Sequence, residues 1–232
     1  MTTPPTLGIL VLDTGFPRIF GDVGNSHTWP FPVEFEIVSG ATPTAVTGPN
    51  VGLLLEQFHS AANKLVSRGA VGITTTCGFL AALQPQLSQL LNVPFAASSL
   101  LQIPSIQALL PARKRVGIIT FSDELLTASH LAGAGVPANT PMAGLDKNCP
   151  FYRMIIEGDK KIDVAQAEHD VVATGVRLVQ QNPNIGAIVV ECANMPPYST
   201  ALHQRLGLPI FDPVGFIHWF YSGLRPKSFI TD

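Results

Sequence analysis

The stretch VGITTTCGFL at residues 71–80 decides the fold, because a similar stretch, GAIVVECANM, follows 115 positions later at residues 186–195. In each copy a short apolar run, typical of a buried strand, ends at a cysteine: Cys77 in the first and Cys192 in the second. The alignment continues through identical residues, namely Leu87 with Leu202, Gln89 with Gln204, Leu91 with Leu206 and Pro94 with Pro209. The sequence therefore indicates an internal duplication.

The duplication reaches back to the first strand of each half. Residues 7–11, LGILV, resemble residues 116–120, VGIIT, at an offset of 109. Strand patterns alternate with helical ones, such as the apolar face over residues 54–66 and the helix after Asp163, where Gln166 completes a capping-box pattern. Because strands separated by helices pair in parallel, the sequence predicts an α/β fold with parallel sheets and helices on both faces.

The connections between these elements are predicted as well. Residues 16–32 are rich in Gly and Pro and predict a long loop, and a second loop is predicted around residues 137–150. An apolar helix from about residue 100 to residue 110 is expected to bridge the two halves. The predicted lobes are residues 1–98 with 208–232, including a last strand at 208–211, and residues 99–207.

Composition excludes several classes of protein. Of the 232 residues, 46% are hydrophobic and 13% are charged, which allows a substantial core. The chain has 14 Lys and Arg against 16 Asp and Glu, and no basic cluster exceeds residues 113–115, so we expect no nucleic-acid partner. No apolar run approaches the roughly 20 residues that span a bilayer, and the N-terminus lacks a basic signal region. We expect a cytoplasmic protein with no membrane partner.

The cysteines argue for unassisted side-chain chemistry. Their number is odd and they are widely spaced, which fits a reducing compartment rather than a disulfide-stabilised domain. No Cys-x-x-Cys or His-x-x-x-His pair marks a metal site, and no glycine-rich fingerprint marks a phosphate or dinucleotide site. We therefore expect no metal and no cofactor. Cys149 has no counterpart in the other half and is interpreted as structural.

Ligands of parallel sheets collect beyond the carboxyl ends of the strands, and four segments supply side chains there. The predicted site residues in these segments are Asp13 and Thr14; Thr76, Cys77, Gly78 and Phe79; Thr120 and Ser122; and Cys192, Ala193 and Asn194. Two thiols facing each other across a cleft suit chemistry that needs an acid and a base on opposite faces of one carbon. Arg18, the only Lys or Arg of the loop at 16–32, is expected to bind a substrate carboxylate.

Several of these residues have a second interpretation. Asp13 is alternatively only a turn former, and Thr120 and Ser122 are alternatively helix caps. Glu191 is either buried against a backbone donor or raises the pKa of Cys192 by repulsion, and the sequence leaves this open. Phe79 either excludes water from the site or belongs to the core.

On these residues the chain resembles the cofactor-independent Asp/Glu/hydantoin racemase superfamily. The resemblance rests on the turn at residues 13–15, on the two strand-end cysteines and on the segment ECANMPPY at residues 191–198, and it covers nearly the whole chain in order. It implies two pseudo-symmetric flavodoxin-like domains with the active site in the cleft between them. There one cysteine removes the α-proton of an amino acid, and the other returns a proton to the opposite face.

The resemblance is not uniform. Glutamate racemases carry Cys-Asn-Thr in the first half and Cys-Thr-His in the second, whereas this chain has Cys77-Gly78-Phe79 and Cys192-Ala193-Asn194. The two-thiol chemistry is kept, but polar groups that would bind a carboxylate are fewer. We expect a cofactor-independent amino acid racemase of the aspartate/glutamate type, with an amino acid as its small-molecule partner and Cys77 and Cys192 as catalytic residues.

Three alternatives stay open. A hydantoin racemase, or another isomerase with a two-thiol site, would use the same cleft on a different substrate. A non-catalytic protein would bind a small acid there without turnover. A redox pair would join the two cysteines as a disulfide, which is disfavoured because a substrate must fit between them. The sequence does not fix the oligomeric state, so a homo-oligomer also stays open.

Overall fold

Two four-stranded parallel sheets organise the molecule. The computed structural model describes residues 4–48 and 50–226. The strands are β1 (Thr6–Leu12), β2 (Val33–Val38), β3 (Ala70–Thr75), β4 (Phe95–Ala96), β5 (Arg115–Thr120), β6 (Met142–Gly144), β7 (Ile185–Val190) and β8 (Ile210–Phe211). The first sheet has the order β2-β1-β3-β4 and the second the order β6-β5-β7-β8, with every pair parallel. The predicted α/β fold is confirmed.

Helices connect successive strands. The α-helices are α1 (Pro43–Thr47), α2 (Leu55–Ser67), α3 (Gln84–Leu90), α4 (Ile103–Leu109), α5 (Ala128–Gly133), α6 (Pro150–Glu157), α7 (Val164–Gln181), α8 (Ser199–Leu206) and α9 (Pro213–Leu224). Short 3-10 helices include Gly78–Leu83 directly after Cys77 and Pro196–Tyr198 shortly after Cys192. The main apolar core draws on both sheets, with Ile73 of β3 and Ile188 of β7 each fully buried in it.

The two sheets repeat one another down to the register of their strands. β1 pairs with β3 through an irregularity between Thr6 and Leu7, and β5 pairs with β7 through the same irregularity between Arg115 and Val116. These positions are 109 apart, which is the offset found in the sequence. The structure therefore confirms the internal duplication.

One equivalent glycine in each half lets the flanking side chains approach the central strand. A Cβ atom on Gly8 of β1 would lie 2.6 Å from Ile73 Cδ1, and one on Gly117 of β5 would lie 2.7 Å from Ile185 Cδ1. Real Cβ atoms do not approach other heavy atoms that closely, so larger residues do not fit here without movement. The repeated glycine is a packing requirement of the fold.

Most helices lie where the patterns predict them. α2 buries Phe58, Ala61 and Leu65 on its apolar face and is followed by Gly69 at a φ of +98°, a conformation that favours glycine. Asp163 caps α7, because its side chain accepts a hydrogen bond from the Gln166 N–H at 3.0 Å. The Gln166 side chain donates to Asp170 instead of returning to Asp163, so half of the predicted capping box forms.

The structure corrects the sequence predictions in three places. The predicted loop at residues 137–150 contains the short strand β6, and α6 and α9 were not predicted. β8, assigned from sequence to the first lobe, pairs with β7 and extends the second sheet. The duplication explains this, because β8 is the counterpart of β4. α9 then packs on the first sheet, where Phe216 and Ile217 join the buried cluster of Leu7 and Ile9. The remaining lobe boundaries stay a prediction.

No α-helix within residues 4–48 and 50–226 combines the length and the apolar character needed to cross a bilayer.

Candidate active site

Cys77 and Cys192 line one cavity, to which both halves of the molecule contribute. Each cysteine lies two residues beyond its strand, β3 or β7, and is buried, with exposed fractions of 8% and 7%. The cavity contains about 450 Å³ of space, part of it open to solvent. Its walls are mostly apolar and include Leu12, Phe16, Pro43, Val46, Phe79, Phe121 and Ile155. The space suits a small molecule.

The cavity also collects most of the predicted binding residues. Of these, Arg18, Thr76, Gly78, Phe79, Ala193 and Asn194 line it together with the two cysteines. Their grouping follows from the parallel sheets, since the carboxyl ends of all strands of a parallel sheet lie at one edge. The sequence prediction of one shared pocket therefore agrees with the geometry.

Burial favours the protonated form of the Cys77 thiol. Burial, with a smaller contribution from the nearby Glu191, raises the pKa of Cys77 to about 12, although the N–H groups of Phe79 and Leu80 and the Arg18 guanidinium oppose the shift. Both N–H groups belong to the 3-10 helix that begins at Gly78, directly after Cys77. The site thus contains groups that favour the thiolate, but desolvation outweighs them.

Burial favours the protonated thiol at Cys192 as well. Burial raises its pKa well above the ordinary value, and Glu191 adds to the shift. The Cys192 Sγ donates a long hydrogen bond of 3.7 Å to Asn194 Oδ1, and the Asn194 N–H favours the thiolate. Both thiols therefore need help from a ligand, or from higher pH, to act as bases.

Arg18 is held in place by a network that sequence reasoning missed. Its guanidinium donates to Asp22 Oδ1 at 3.0 Å and to Thr14 Oγ1 at 3.2 Å, and it lies over the Phe16 ring. Asp22 is buried and also accepts from Asn194 Nδ2 at 2.6 Å through Oδ2. One carboxylate thus joins the cavity's arginine to the hydrogen-bond partner of Cys192. The spacing of four residues between Arg18 and Asp22 was the feature of the sequence that could have indicated this ion pair.

Glu191 contributes a buried carboxyl group to the cavity wall. Its Oε2 accepts a hydrogen bond of 2.7 Å from the Thr120 hydroxyl, whereas its Oε1 is buried without a partner. Burial raises the pKa of Glu191 to about 7, opposed by the hydrogen bonds from Thr120 and from the Phe121 N–H. A Cβ atom at Gly78 would overlap with Oε1. The absence of a side chain at Gly78 thus makes room for this carboxyl group.

Four predicted binding residues lie behind the cavity wall rather than on it. Thr14 holds Arg18, and Thr120 holds Glu191, so each acts through another side chain. Asp13 is exposed and accepts a hydrogen bond from the Gly40 N–H, which is the turn-forming alternative. Ser122 is buried next to Gly144 of β6, and its carbonyl accepts from the Leu126 N–H. Their direct contact with a substrate stays a prediction.

Within the described ranges, no three His, Cys, Asp or Glu side chains are grouped so that they could hold a metal ion.

The chain is similar in sequence to proteins named as lyases. No protein-family model matches the chain. It is 25% identical over 229 residues to dimethylsulfoniopropionate lyase 5 of Emiliania huxleyi (strain CCMP1516), which covers 94% of this chain and 45% of that protein. It is 24% identical over 241 residues to the dimethylsulfoniopropionate lyase of Durusdinium sp. clade D, covering 98% and 78%. The chain thus spans about half the length of the first relative and most of the second.

The structure is similar to solved structures of a decarboxylase and of racemases. Unliganded arylmalonate decarboxylase superimposes with a TM-score of 0.60 at 18% identity, covering 97% of this chain and 94% of that one. Allantoin racemase from Klebsiella pneumoniae gives 0.60 at 16% identity, covering 94% and 87%. A glutamate racemase from Bacillus anthracis gives 0.57 at 10% identity, covering 97% and 84%.

At these identities the neighbours establish the fold alone. The similarity to lyases leaves an amino acid substrate unconfirmed. The fold that the resemblance implies is confirmed, because the chain shares the two-domain fold of arylmalonate decarboxylase, allantoin racemase and glutamate racemase.

Proposed function

We propose that this chain is an enzyme that removes the proton α to the carboxylate of a small acid, with Cys77 and Cys192 as base and acid. The observation that carries this proposal is that both thiols line one small cavity. Because they come from equivalent positions of two similar halves, they can address opposite faces of one carbon. Arg18 on the same wall would bind the carboxylate.

The cavity walls favour such a reaction. An α-proton is only weakly acidic, so the negative charge that builds on the carboxylate must be stabilised as the proton leaves. Phe16, Phe79 and Phe121 keep water from the site, which strengthens the electrostatic interactions inside. The thiolate is a minor form at neutral pH because burial raises both thiol pKa values, but it is a strong base once formed.

The reaction that we propose first is β-elimination. Dimethylsulfoniopropionate, after which the similar lyases are named, is a propionate with a dimethylsulfonium group on its β-carbon. One thiolate would take the α-proton, a double bond would form between the α- and β-carbons, and the β-carbon–sulfur bond would break with its electron pair leaving on sulfur. Because dimethyl sulfide leaves as a neutral molecule, the second thiol would not transfer a proton in this reaction but would donate a hydrogen bond to the growing negative charge. The products are dimethyl sulfide and acrylate. A sulfonium cation suits a cavity that is lined by aromatic rings.

Racemisation of an amino acid of the aspartate/glutamate type is the second candidate. The matched pair of thiols favours it, because a racemase must accept a proton from one face of a carbon and return one to the other. Gly78 and Ala193 offer no polar side chains for a second carboxylate or an ammonium group, which is why we place this candidate second. A hydantoin has neither a second carboxylate nor an ammonium group, so it would need fewer polar contacts from the cavity.

One experiment separates these candidates. The protein is incubated in deuterated water with dimethylsulfoniopropionate, with either enantiomer of aspartate and glutamate, and with a 5-substituted hydantoin. Gas chromatography measures dimethyl sulfide, and proton NMR follows deuterium at the α-carbon. We expect dimethyl sulfide and acrylate from the sulfonium substrate, and neither from a Cys77→Ser or Cys192→Ser variant.

The other outcomes are equally informative. Deuterium exchange in an amino acid or hydantoin without elimination would favour the racemase. Binding without exchange or elimination for all the compounds would mean a non-catalytic binding protein and would refute the proposal.

A further inference from the structure

The buried carboxyl group of Glu191 has one oxygen with a partner and one without. Oε2 accepts from Thr120, a residue of β5, whereas Oε1 is buried in the cavity wall with no partner. The whole residue is only 1% exposed. A buried polar atom without a partner is costly, and in a binding site it marks a place where a ligand atom completes the hydrogen bonding.

The surroundings of Glu191 favour its neutral form. Burial is the cause, and the Thr120 hydroxyl and the Phe121 N–H oppose it only in part. The ionisable groups that share the cavity with Glu191 are the Cys77 and Cys192 thiols, whose protonated forms burial favours, and Arg18. Arg18 pairs with Asp22 at 3.0 Å rather than with Glu191. With the Thr120 hydroxyl donating to Oε2, a proton on Glu191 belongs on Oε1, so that Oε1–H becomes a hydrogen-bond donor beside Gly78 in the cavity wall.

We propose that Glu191 binds substrate as a carboxylic acid, donating a hydrogen bond from Oε1 to the substrate's carboxylate. This inference rests on the proposed function insofar as the substrate is a small carboxylate. An ionised Glu191 would repel such a substrate, whereas the neutral acid attracts it. As the α-proton leaves, negative charge grows on the substrate's carboxylate oxygens and the hydrogen bond strengthens, so the same contact also lowers the barrier. Glu191 keeps its proton throughout.

Gly78 is part of this arrangement. A Cβ atom there would overlap with Oε1 and would push the carboxyl group out of its place. Glycine has no polar side chain of its own to offer a substrate, but it leaves the space that the Glu191 carboxyl group occupies. A residue from the other half of the molecule thereby supplies the polar group that the end of β3 lacks.

The test measures binding rather than turnover, with sodium propionate as the probe, because it has the carboxylate but no leaving group. Calorimetry gives its Kd from pH 6 to pH 8.5 for the wild type and for Glu191→Gln. Burial raises the pKa of Glu191 to about 7, so binding to the wild type should weaken by up to about tenfold per pH unit above that value. The amide of Glu191→Gln is a donor at every pH, so its Kd should stay nearly constant.

A second variant and a control complete the design. In Thr120→Val the hydroxyl that favours the ionised form is lost, so the weakening of binding should begin at a higher pH. Glu56→Gln, on the exposed side of α2, should behave as the wild type does. A wild-type Kd that does not change with pH, an equal pH dependence in Glu191→Gln, or the absence of propionate binding at pH 6 would overturn the inference.

Failure here is distinguishable from failure of the proposed function. If dimethyl sulfide is released but propionate binding shows no such pH dependence, only the role of Glu191 is wrong. If propionate binds as expected but neither elimination nor exchange occurs, the acid is a binding group in a protein without the proposed activity.

Discussion

At the scale of single residues, the two thiols share a raised pKa, and burial is the main cause in both. Burial raises the pKa of Cys77 to about 12 and that of Cys192 also, because the thiolate loses more hydration than the thiol does. The interactions that oppose this shift come from the N–H groups of Phe79 and Asn194 and from Arg18. Because both pKa values are high, either thiolate would be a strong base toward a substrate in the cavity.

Replacing either thiol should remove the proposed activity. Cys77→Ser and Cys192→Ser each lose a group that gives or takes a proton, so we expect kcat to fall by about 10²- to 10⁴-fold with the fold retained. Dimethyl sulfide release and circular dichroism measure the two effects. Cys149→Ser is the matched control, since Cys149 Sγ accepts a hydrogen bond from the Tyr152 N–H at the start of α6, a role that serine fills well. Wild-type activity in all three variants would contradict the assignment.

The ion pair of Asp22 with Arg18 should support both stability and binding. Asp22→Asn removes the charge that holds Arg18 and disturbs the contact with Asn194. We expect a loss of about 1–3 kcal/mol in the free energy of unfolding, measured by urea denaturation, and a higher KM for the carboxylate substrate. Glu124→Gln breaks the exposed pair with Lys147 and should leave the free energy of unfolding almost unchanged. An equal loss in the free energy of unfolding for the two variants would mean that the buried pair of Asp22 with Arg18 stabilises the protein no more than an exposed pair does.

At the scale of elements, each half brings its cysteine to the cavity by the same packing. β1 and β5 lie second in their sheets, next to β3 and β7, whose ends carry the two cysteines. The glycines of these central strands, Gly8 and Gly117, leave room for side chains of the neighbouring strand and helix. The position of each thiol therefore depends on close contacts elsewhere in its half.

Filling that space should destabilise either half. Gly117→Val would force its side chain against Ile185, Ile188 and Leu178, so we expect a loss of about 1–3 kcal/mol of stability. Gly8→Val should behave similarly. Thermal unfolding measures both. Gly223→Ala in α9 meets no atom within 4 Å and should be neutral or slightly stabilising, and an equal loss there would show that the effect is not one of packing.

At the scale of the whole molecule, the buried acid should tie stability to pH. The pKa of Glu191 rises from 4.5 to about 7 on folding, so the folded state holds its proton more tightly than the unfolded one. The resulting stabilisation is complete below pH 4.5 and is lost as the pH rises to about 7, by about 3 kcal/mol in all. A functional group thus lowers stability at neutral pH.

Glu191→Gln should remove this dependence. The amide cannot ionise, so the Tm of the variant and of the wild type should differ least at pH 5 and most at pH 8, where the variant is the more stable. Scanning calorimetry at both pH values measures the difference. A wild type that is the more stable at pH 8 would mean that the ionised carboxylate is better accommodated than its burial indicates.

Local patterns in the sequence determined much of this protein. The repeat around Cys77 and Cys192, the strand-helix alternation and the grouping of strand ends predicted two parallel sheets and one cavity that holds both thiols. These features are readable because hydrophobic periodicity and turn residues act between near neighbours. The small elements were harder: β6 has three residues, too few for a periodic pattern, and the strand at 208–211 was predicted but assigned to the wrong lobe.

Tertiary structure alone decided how the site is held together. Asn194 meets Asp22 across 172 positions, and Thr120 meets Glu191 across 71. No local pattern encodes such contacts, because the first depends on how the two halves pack against each other and the second on the pairing of β5 with β7. Whether Glu191 is neutral follows from the same packing, since burial rather than a neighbouring residue in the chain raises its pKa. The sequence placed the sulfurs at matching strand ends, and only folding surrounded them with a buried acid and an anchored arginine.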